Sequence, residues 1–391
     1  MATDNKNKVL NVPNKGNVPR LRFPEFTEDY EKHNLGELGE TLIGLTYSPT
    51  DVVREGGIIV LRSSNIKNGV TNYDDIVRVN KKIKGSIITR PNDILVCARN
   101  GSPRLIGKNA ILKEADSNIT FGAFMMIYRS IDNMYIHQLL YTKRFYSQVG
   151  ENLGARINQI TTSDFNSFEF YFPKTKEERI KIASLLSLID KRIETQNKII
   201  EDLKKLKVAI RDRELNSIRK HYGLNMQISK MLDYEQPSKY IVSETEYLNN
   251  KEFTPVLTAN KAFILGYTDE PFNIYDKGEC IILDDFTLDC KLVNFAFKVK
   301  SSAIKILTPK NNIILRYVYE YLNFLNLETT EHKRHYISEI EPMLIAYPDS
   351  NESVISFCDL MDKFDKKIEN ENKYLQSLLS QKNYLLSNMF I

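Results

Sequence analysis

The chain has 391 residues, 42% hydrophobic and 27% charged, with a formal net charge of +4. That length fits two or three folded domains, and so mild a charge does not by itself demand a nucleic-acid partner. The four cysteines form no CxxC pair, no apolar run reaches the ~20 residues that cross a membrane, and the opening residues lack a signal-peptide core. A cytoplasmic protein with no membrane contact is expected.

Residues 1–17 are polar and predict a flexible tail. From 18 to 175, short β-branched and aromatic runs alternate with Gly, Pro, Asn and Asp, which predicts small strands and turns. A short helix is expected around Tyr135–Val149. Inside this segment DILVC runs into ARNGSPRLIGKN, where Gly101, Gly107 and Lys108 suggest a phosphate loop. The spacing excludes the nucleotide-hydrolase version. Five residues rather than four separate the glycines, and Asn109 stands where a Ser or Thr hydroxyl would hold magnesium.

The run FEFYFP, ending at Pro173, leads into a segment of helical periodicity over 176–221. Between Lys176 and Lys220 it carries 13 Lys/Arg against 8 Asp/Glu, a surplus of 5 that could favour DNA or simply face solvent. A second strand-and-turn region spans 222–349, with a helix around Leu315–Leu325. It closes on LIAYP at Pro348 and is followed by a second long helix over 350–391.

The two long helices repeat one another at an offset of 175 residues, the separation of Pro173 from Pro348. The first carries an apolar seam at Leu186, Ile189, Ile193, Ile200, Leu203 and Ile210. The offset maps these onto Met361, Phe364, Ile368, Leu375, Leu378 and Leu385, all apolar. Polar positions correspond too: Gln196 with Glu371, Lys207 with Lys382, Asp190 with Asp365. Such interruptions fix the register of coiled coils. The pattern predicts that the helices pack on each other. The segments ahead of them correspond loosely, so the expected fold is α+β: two pseudo-twofold-related globular units with small mixed sheets, separated by two long helices that form a coiled coil.

Enzyme readings find little support. The nearby His332 and His335 lack the further ligands of a metal site. Asp289-Cys290-Lys291 is an acid-x-Lys triplet of the kind nucleases use, but it has no counterpart in the first unit. No Ser/His or Cys/His constellation, methyl-donor glycine turn or adenine pocket is evident. A non-catalytic coiled-coil scaffold would explain the helices, but not why two divergent, polar-looped units share one frame.

The chain resembles the specificity subunits of Type I restriction-modification systems. The matching stretches are VPRLRFPEF, LGEL, IVLRSSNI, DILVCARNGS, GARINQIT and EERIKIASLLSLIDKRIE, echoed later by KRHYISEIE and LMDKFDKKIE. Two departures are Tyr30, where this family often has Trp, and DDFTLDCK, which replaces the first unit's Gly-rich turn. The resemblance implies two target recognition domains, 18–175 and 222–349, held apart by the two helices as an antiparallel coiled coil, each domain reading half of an asymmetric bipartite double-stranded DNA site. It also implies docking of two methyltransferase and two restriction subunits. S-adenosylmethionine, ATP and Mg would then belong to those partners, with no cofactor, metal or catalytic residue in this chain. A helix of ~35 residues is about 50 Å long, and readers of one DNA face sit about 34 Å apart or a multiple of it. Helix length and half-site spacing should therefore be coupled.

Base and phosphate contacts need Arg, Lys, Asn, Gln, Ser or Thr on loops that reach a groove. In the first unit the candidates are Arg62, Ser63, Ser64 and Asn65, then Arg99, Asn100, Ser102, Arg104 and Lys108, then Arg156, Asn158 and Gln159. Gly101 would let the backbone approach a phosphate. In the second unit they are Thr258, Asn260 and Lys261, then Lys298, Lys300, Ser301 and Lys305, then Lys333, Arg334 and Tyr336.

Overall fold

The structure, a computed structural model, describes residues 17–116, 119–153, 158–244, 246–258, 263–329 and 333–391. Nearly all of the expected tail, residues 1–16, lies outside them. The chain divides into two compact units. The first runs to Gln196 and takes in Tyr374–Ile391, and the second is Asn197–Lys373.

In the first unit a four-stranded antiparallel sheet has the order Glu40–Ile43, Met125–Arg129, Ile94–Cys97, Asn109–Ile111. Its central strand ILVC is an unbroken apolar run because both faces of the sheet are covered. Ile94 and Val96 enter one core with Tyr128, Tyr135 and Leu186, while Leu95 and Cys97 enter another with Leu61, Phe121 and Ile127. A second sheet orders Thr120–Phe121, Ile58–Leu61, Val77–Val79 and Val52–Val53, its first pair parallel. Glu31–Asn34 pairs antiparallel with Glu169–Phe172, the strand that precedes the long helix.

The second unit repeats this plan. Its main sheet orders Leu232–Glu235, Ile304–Pro309, Cys280–Asp284, Cys290–Val293. Its second sheet pairs Thr254–Leu257 with Ile264–Thr268 and, in parallel, with Lys298–Val299. Met226–Gln227 pairs with Leu344–Ile345 ahead of the C-terminal helix. The strand Cys280–Asp284 again divides its side chains, Ile281 and Leu283 to one core and Cys280 and Ile282 to another. The loose sequence correspondence thus hides the same strand order.

The helix expected around Tyr135–Val149 is two helices, Asn133–Leu139 and Lys143–Leu153. Thr142 separates them: its hydroxyl donates to Leu139 O at 2.7 Å and accepts from Phe145 N at 3.4 Å, an N-cap-like arrangement. The central helix spans Lys176–Tyr222 and the C-terminal helix Asn351–Met389. Gly223, at φ +68°, ends the former in the left-handed conformation that glycine adopts at low cost.

All twelve seam residues are buried or half-buried. In the first unit Ile182, Ala183 and Leu186 of the central helix share a core with Leu386, Met389 and Phe390 of the C-terminal helix. In the second, Leu215 shares one with Val354, Phe357 and Met361. The start of each helix therefore meets the end of the other, an antiparallel pairing. Each large apolar side chain so buried contributes about 1.5–3 kcal/mol.

Candidate nucleic-acid interface

Three loops of the first unit meet. After the strand Ile58–Leu61 the chain turns through Ser63–Asn65, after Ile94–Cys97 it enters the segment Arg99–Lys108, and beside both lies Asn158-Gln159. Asn100 ties them together. Its Nδ2 donates to Ser63 Oγ at 3.0 Å, and its backbone N–H donates to Asn158 O at 3.3 Å. Asn158, at φ +54°, returns a bond from Nδ2 to Gly101 O at 3.0 Å. Arg99 and Gln159 form an isolated β-bridge, and Lys108 Nζ lies 3.5 Å from Ser63 O.

This scaffold leaves Ser64, Arg99, Gly101 and Arg104 exposed, with Ser102, Lys108, Asn158 and Gln159 half-buried. The surface so formed offers guanidinium, ammonium, amide and hydroxyl groups, the donor set that contacts phosphates and base edges. Arg156 lies outside the described residues. Arg62 is partly neutralised, its Nη2 lying 2.7 Å from Asp75 Oδ2. Asn65 is 1% exposed and closes its own turn. It accepts from Arg62 N at 2.8 Å and donates to the carbonyls of Asn72 and Asp75, each at 2.9 Å. Its amide is spent inside the fold.

In the second unit the turn after Cys280–Asp284 is short. Asp284 Oδ1 accepts the backbone N–H groups of Phe286 and Thr287 at 2.9 and 3.0 Å, which organises the turn. Asp285, 1% exposed, accepts from His335 N at 3.1 Å and Tyr336 N at 2.7 Å, joining this turn to the segment 333–336. Lys300, Ser301, Lys333 and Arg334 are exposed, and Lys333 Nζ sits 3.1 Å from Glu339. Asn260 and Lys261 lie outside the described residues, and Thr258 is almost fully buried.

The basic string from Lys298 to Lys305 is not one exposed loop. It is a strand end, a turn and the start of the next strand, and two of its lysines point inward. Lys298 is 0% exposed, bonded to the Glu270 carboxylate and, at 3.1 Å, to Phe272 O. Its ammonium holds Glu270 below the usual carboxylate range. Lys305 is 1% exposed, with Nζ 3.5 Å from Asp285 Oδ2 and 5.4 Å from the Tyr234 ring centroid. Tyr336 is likewise buried, its ring 5.5 Å from that of Tyr234. A buried ammonium needs a carboxylate partner, and the fold supplies Glu270 and Asp285 from positions distant in sequence.

The four cysteines are buried and free. Burial pushes the Cys97 thiol up to about 11 and those of Cys280, Cys290 and Cys358 up to about 12. A thiol so protonated is a poor nucleophile. Cys290 of the acid-x-Lys triplet faces the apolar core rather than an open cleft.

The family model of the Type I restriction modification DNA specificity domain matches residues 27–205. The specificity subunit of the Type I restriction enzyme EcoR124I/EcoR124II from Escherichia coli is 42% identical over 151 residues, which are 36% of this chain and 37% of that protein. The match therefore spans little more than a third of that relative's length. A solved S subunit of a Type I restriction-modification system from M. genitalium superposes with a TM-score of 0.58 at 19% identity, over 96% of this chain and 99% of that one. A chain from a structure on assembly and conformational transition of the type I R-M system gives a TM-score of 0.50 at 11% identity, over 92% and 97%. At those identities the two structures share the fold alone.

Proposed function

We propose that the chain, whose residues 27–205 match the Type I restriction modification DNA specificity domain, is the DNA-reading subunit of a Type I restriction-modification complex. Domain one, 18–175, reads one half of a bipartite site, and domain two, 222–349, reads the other. The observation that carries this reading is the repeat of one strand order in two units, each ending in a polar loop cluster that differs from its counterpart. A common frame with divergent loops suits two readers of different sequences. Arg99 and Arg104 in the first unit, and Lys300 and Arg334 in the second, supply groove and phosphate contacts.

The long helices act as the spacer and as the docking surface for two methyltransferase and two restriction subunits. The chain itself contributes no catalytic group. S-adenosylmethionine serves adenine methylation in the methyltransferase subunits, and ATP and magnesium serve the restriction subunits.

Mapping methylated adenines in DNA from cells that express the whole system tests the reading. A two-part recognition sequence is expected. Exchanging residues 18–175 for those of a divergent relative should alter one half only. Alteration of both halves, or hydrolytic activity in the purified chain alone, refutes it.

A further inference from the structure

One large aromatic side chain stands exposed beside the first unit's loop cluster. Phe124, 60% exposed, sits in the turn between the strands Thr120–Phe121 and Met125–Arg129. Its backbone is held firmly. Phe124 O accepts the N–H groups of Ala98 and Arg99, each at 3.0 Å, at the root of the Arg99–Lys108 loop. Ala123 N donates to Leu45 O at 3.0 Å, Gly122 N to Leu61 O at 2.9 Å, and Met125 N to Gly122 O at 2.8 Å. Gly44 passes so close that a Cβ built on it would lie 2.2 Å from Gly122 O. The ring is thus displayed on a rigid mount, with the Arg99 guanidinium 5.2 Å from its centroid.

A solvated phenylalanine gives the free chain little beyond its contact with Arg99, whereas a rigid aromatic loses little conformational entropy on contact with a ligand. The corresponding turn of the second unit, between Lys298–Val299 and Ile304–Pro309, carries the exposed Ser301 and no aromatic. The two turns therefore differ in chemistry where the frames agree.

We propose that Phe124 is a specificity-determining base contact of the first unit, packing on an apolar base surface while Arg99 makes the polar contact beside it. The proposal rests on the DNA-reading role given above. Apolar side chains read thymine through its 5-methyl group, or lie against an unstacked base face.

The test measures equilibrium binding by the chain assembled with its methyltransferase subunits. One duplex carries the site that the wild-type complex methylates, and the other lacks it. Phe124→Ala should bind the site-bearing duplex about tenfold or more weakly, with unchanged binding to the other duplex. Phe124→Leu should fall between, which separates lost apolar contact from lost folding. Replacing each thymine of the first half-site by deoxyuridine distinguishes the two sources. A loss in wild type that Phe124→Ala does not share identifies a methyl group; its absence, with the alanine loss intact, identifies a base face. Equal affinity of Phe124→Ala and wild type for the site, or equal losses on both duplexes, overturns the proposal. Should wild type bind the two duplexes alike, the DNA-reading role itself falls, and this inference with it.

Discussion

Asp190 Oδ1 accepts a hydrogen bond from Lys382 Nζ at 2.6 Å, joining the central helix to the C-terminal helix inside the first unit. The second unit makes the same pair from the offset residues: Asp365 Oδ1 accepts from Lys207 Nζ at 2.7 Å. Each aspartate is also held by a short helix of its own unit. Gln138 Nε2 donates to Asp190 at 2.8 Å, and Arg316 bonds Asp365. The lysines that interrupt the apolar seam are therefore paired across it, which explains how the helices accept them.

A double-mutant cycle on Asp190→Ala and Lys382→Ala should give a coupling energy of about 1 kcal/mol in chemical denaturation, since both groups are partly exposed and screened. Exchanging the charges, Asp190→Lys with Lys382→Asp, should recover part of that loss. Additive single-mutant effects would show that the pair does not stabilise the helix contact.

Asp365 carries a pH signature. Burial raises its pKa, but hydrogen bonds from Arg316 and Lys207 outweigh burial and leave it below the ordinary aspartate value. A carboxyl depressed by folding stabilises the fold above its unfolded pKa of about 4 and loses that contribution as pH falls through the folded value. The stability difference between wild type and Asp365→Asn should hold steady above about pH 5 and shrink below about pH 4. Urea midpoints measured from pH 3 to 7 check this, and a difference independent of pH contradicts it.

Glu178 anchors the start of the central helix from a nearly sealed position, at 1% exposure. Arg22 approaches it with both Nε and Nη2, at 2.7 and 2.8 Å, and Tyr30 Oη donates to it at 3.0 Å. Tyr30 is the position where the resemblance expects Trp, and its hydroxyl here supplies a donor to the carboxylate. Glu178→Ala strands a half-sealed guanidinium and should destabilise the first unit by about 3 kcal/mol. Tyr30→Phe removes one bond and should cost about 1 kcal/mol. Hydrogen exchange in residues 17–30 and the first turns of the helix reads both effects; unchanged protection in Glu178→Ala would remove its anchoring role.

The helices were legible because heptad spacing is a local signal, and the 175-residue offset matched one helix against the other. The shared strand order was not, since sheet pairing joins segments far apart: Thr120 pairs with Val60, and Lys298 with Val256. The loops were legible as a group but not residue by residue. Asn65 and Asn100 look alike in sequence, yet one is sealed in its own turn and the other bridges three loops. Lys298 and Lys305 read as basic surface because their partners, Glu270 and Asp285, are neighbours only in the folded chain. Phe124 was not legible because an apolar residue carries no donor or acceptor, and its exposure is a property of the turn that carries it.

On the spacer reading, the length of the two long helices sets the separation of the half-sites. Seven residues make nearly two helical turns, so a heptad inserted in both long helices keeps the apolar seam on one face with a drift of about 20°. It lengthens each helix by about 10 Å, close to three base pairs at about 3.4 Å each. Insertion after Asn197, with the facing insertion before Leu375, lies among seam positions and leaves the paired Asp190, Lys207, Asp365 and Lys382 intact. The methylated site should then keep both half-sequences and gain about three base pairs between them. A site with its spacing unchanged would show that helix length does not set the separation, leaving the helices as docking surface alone.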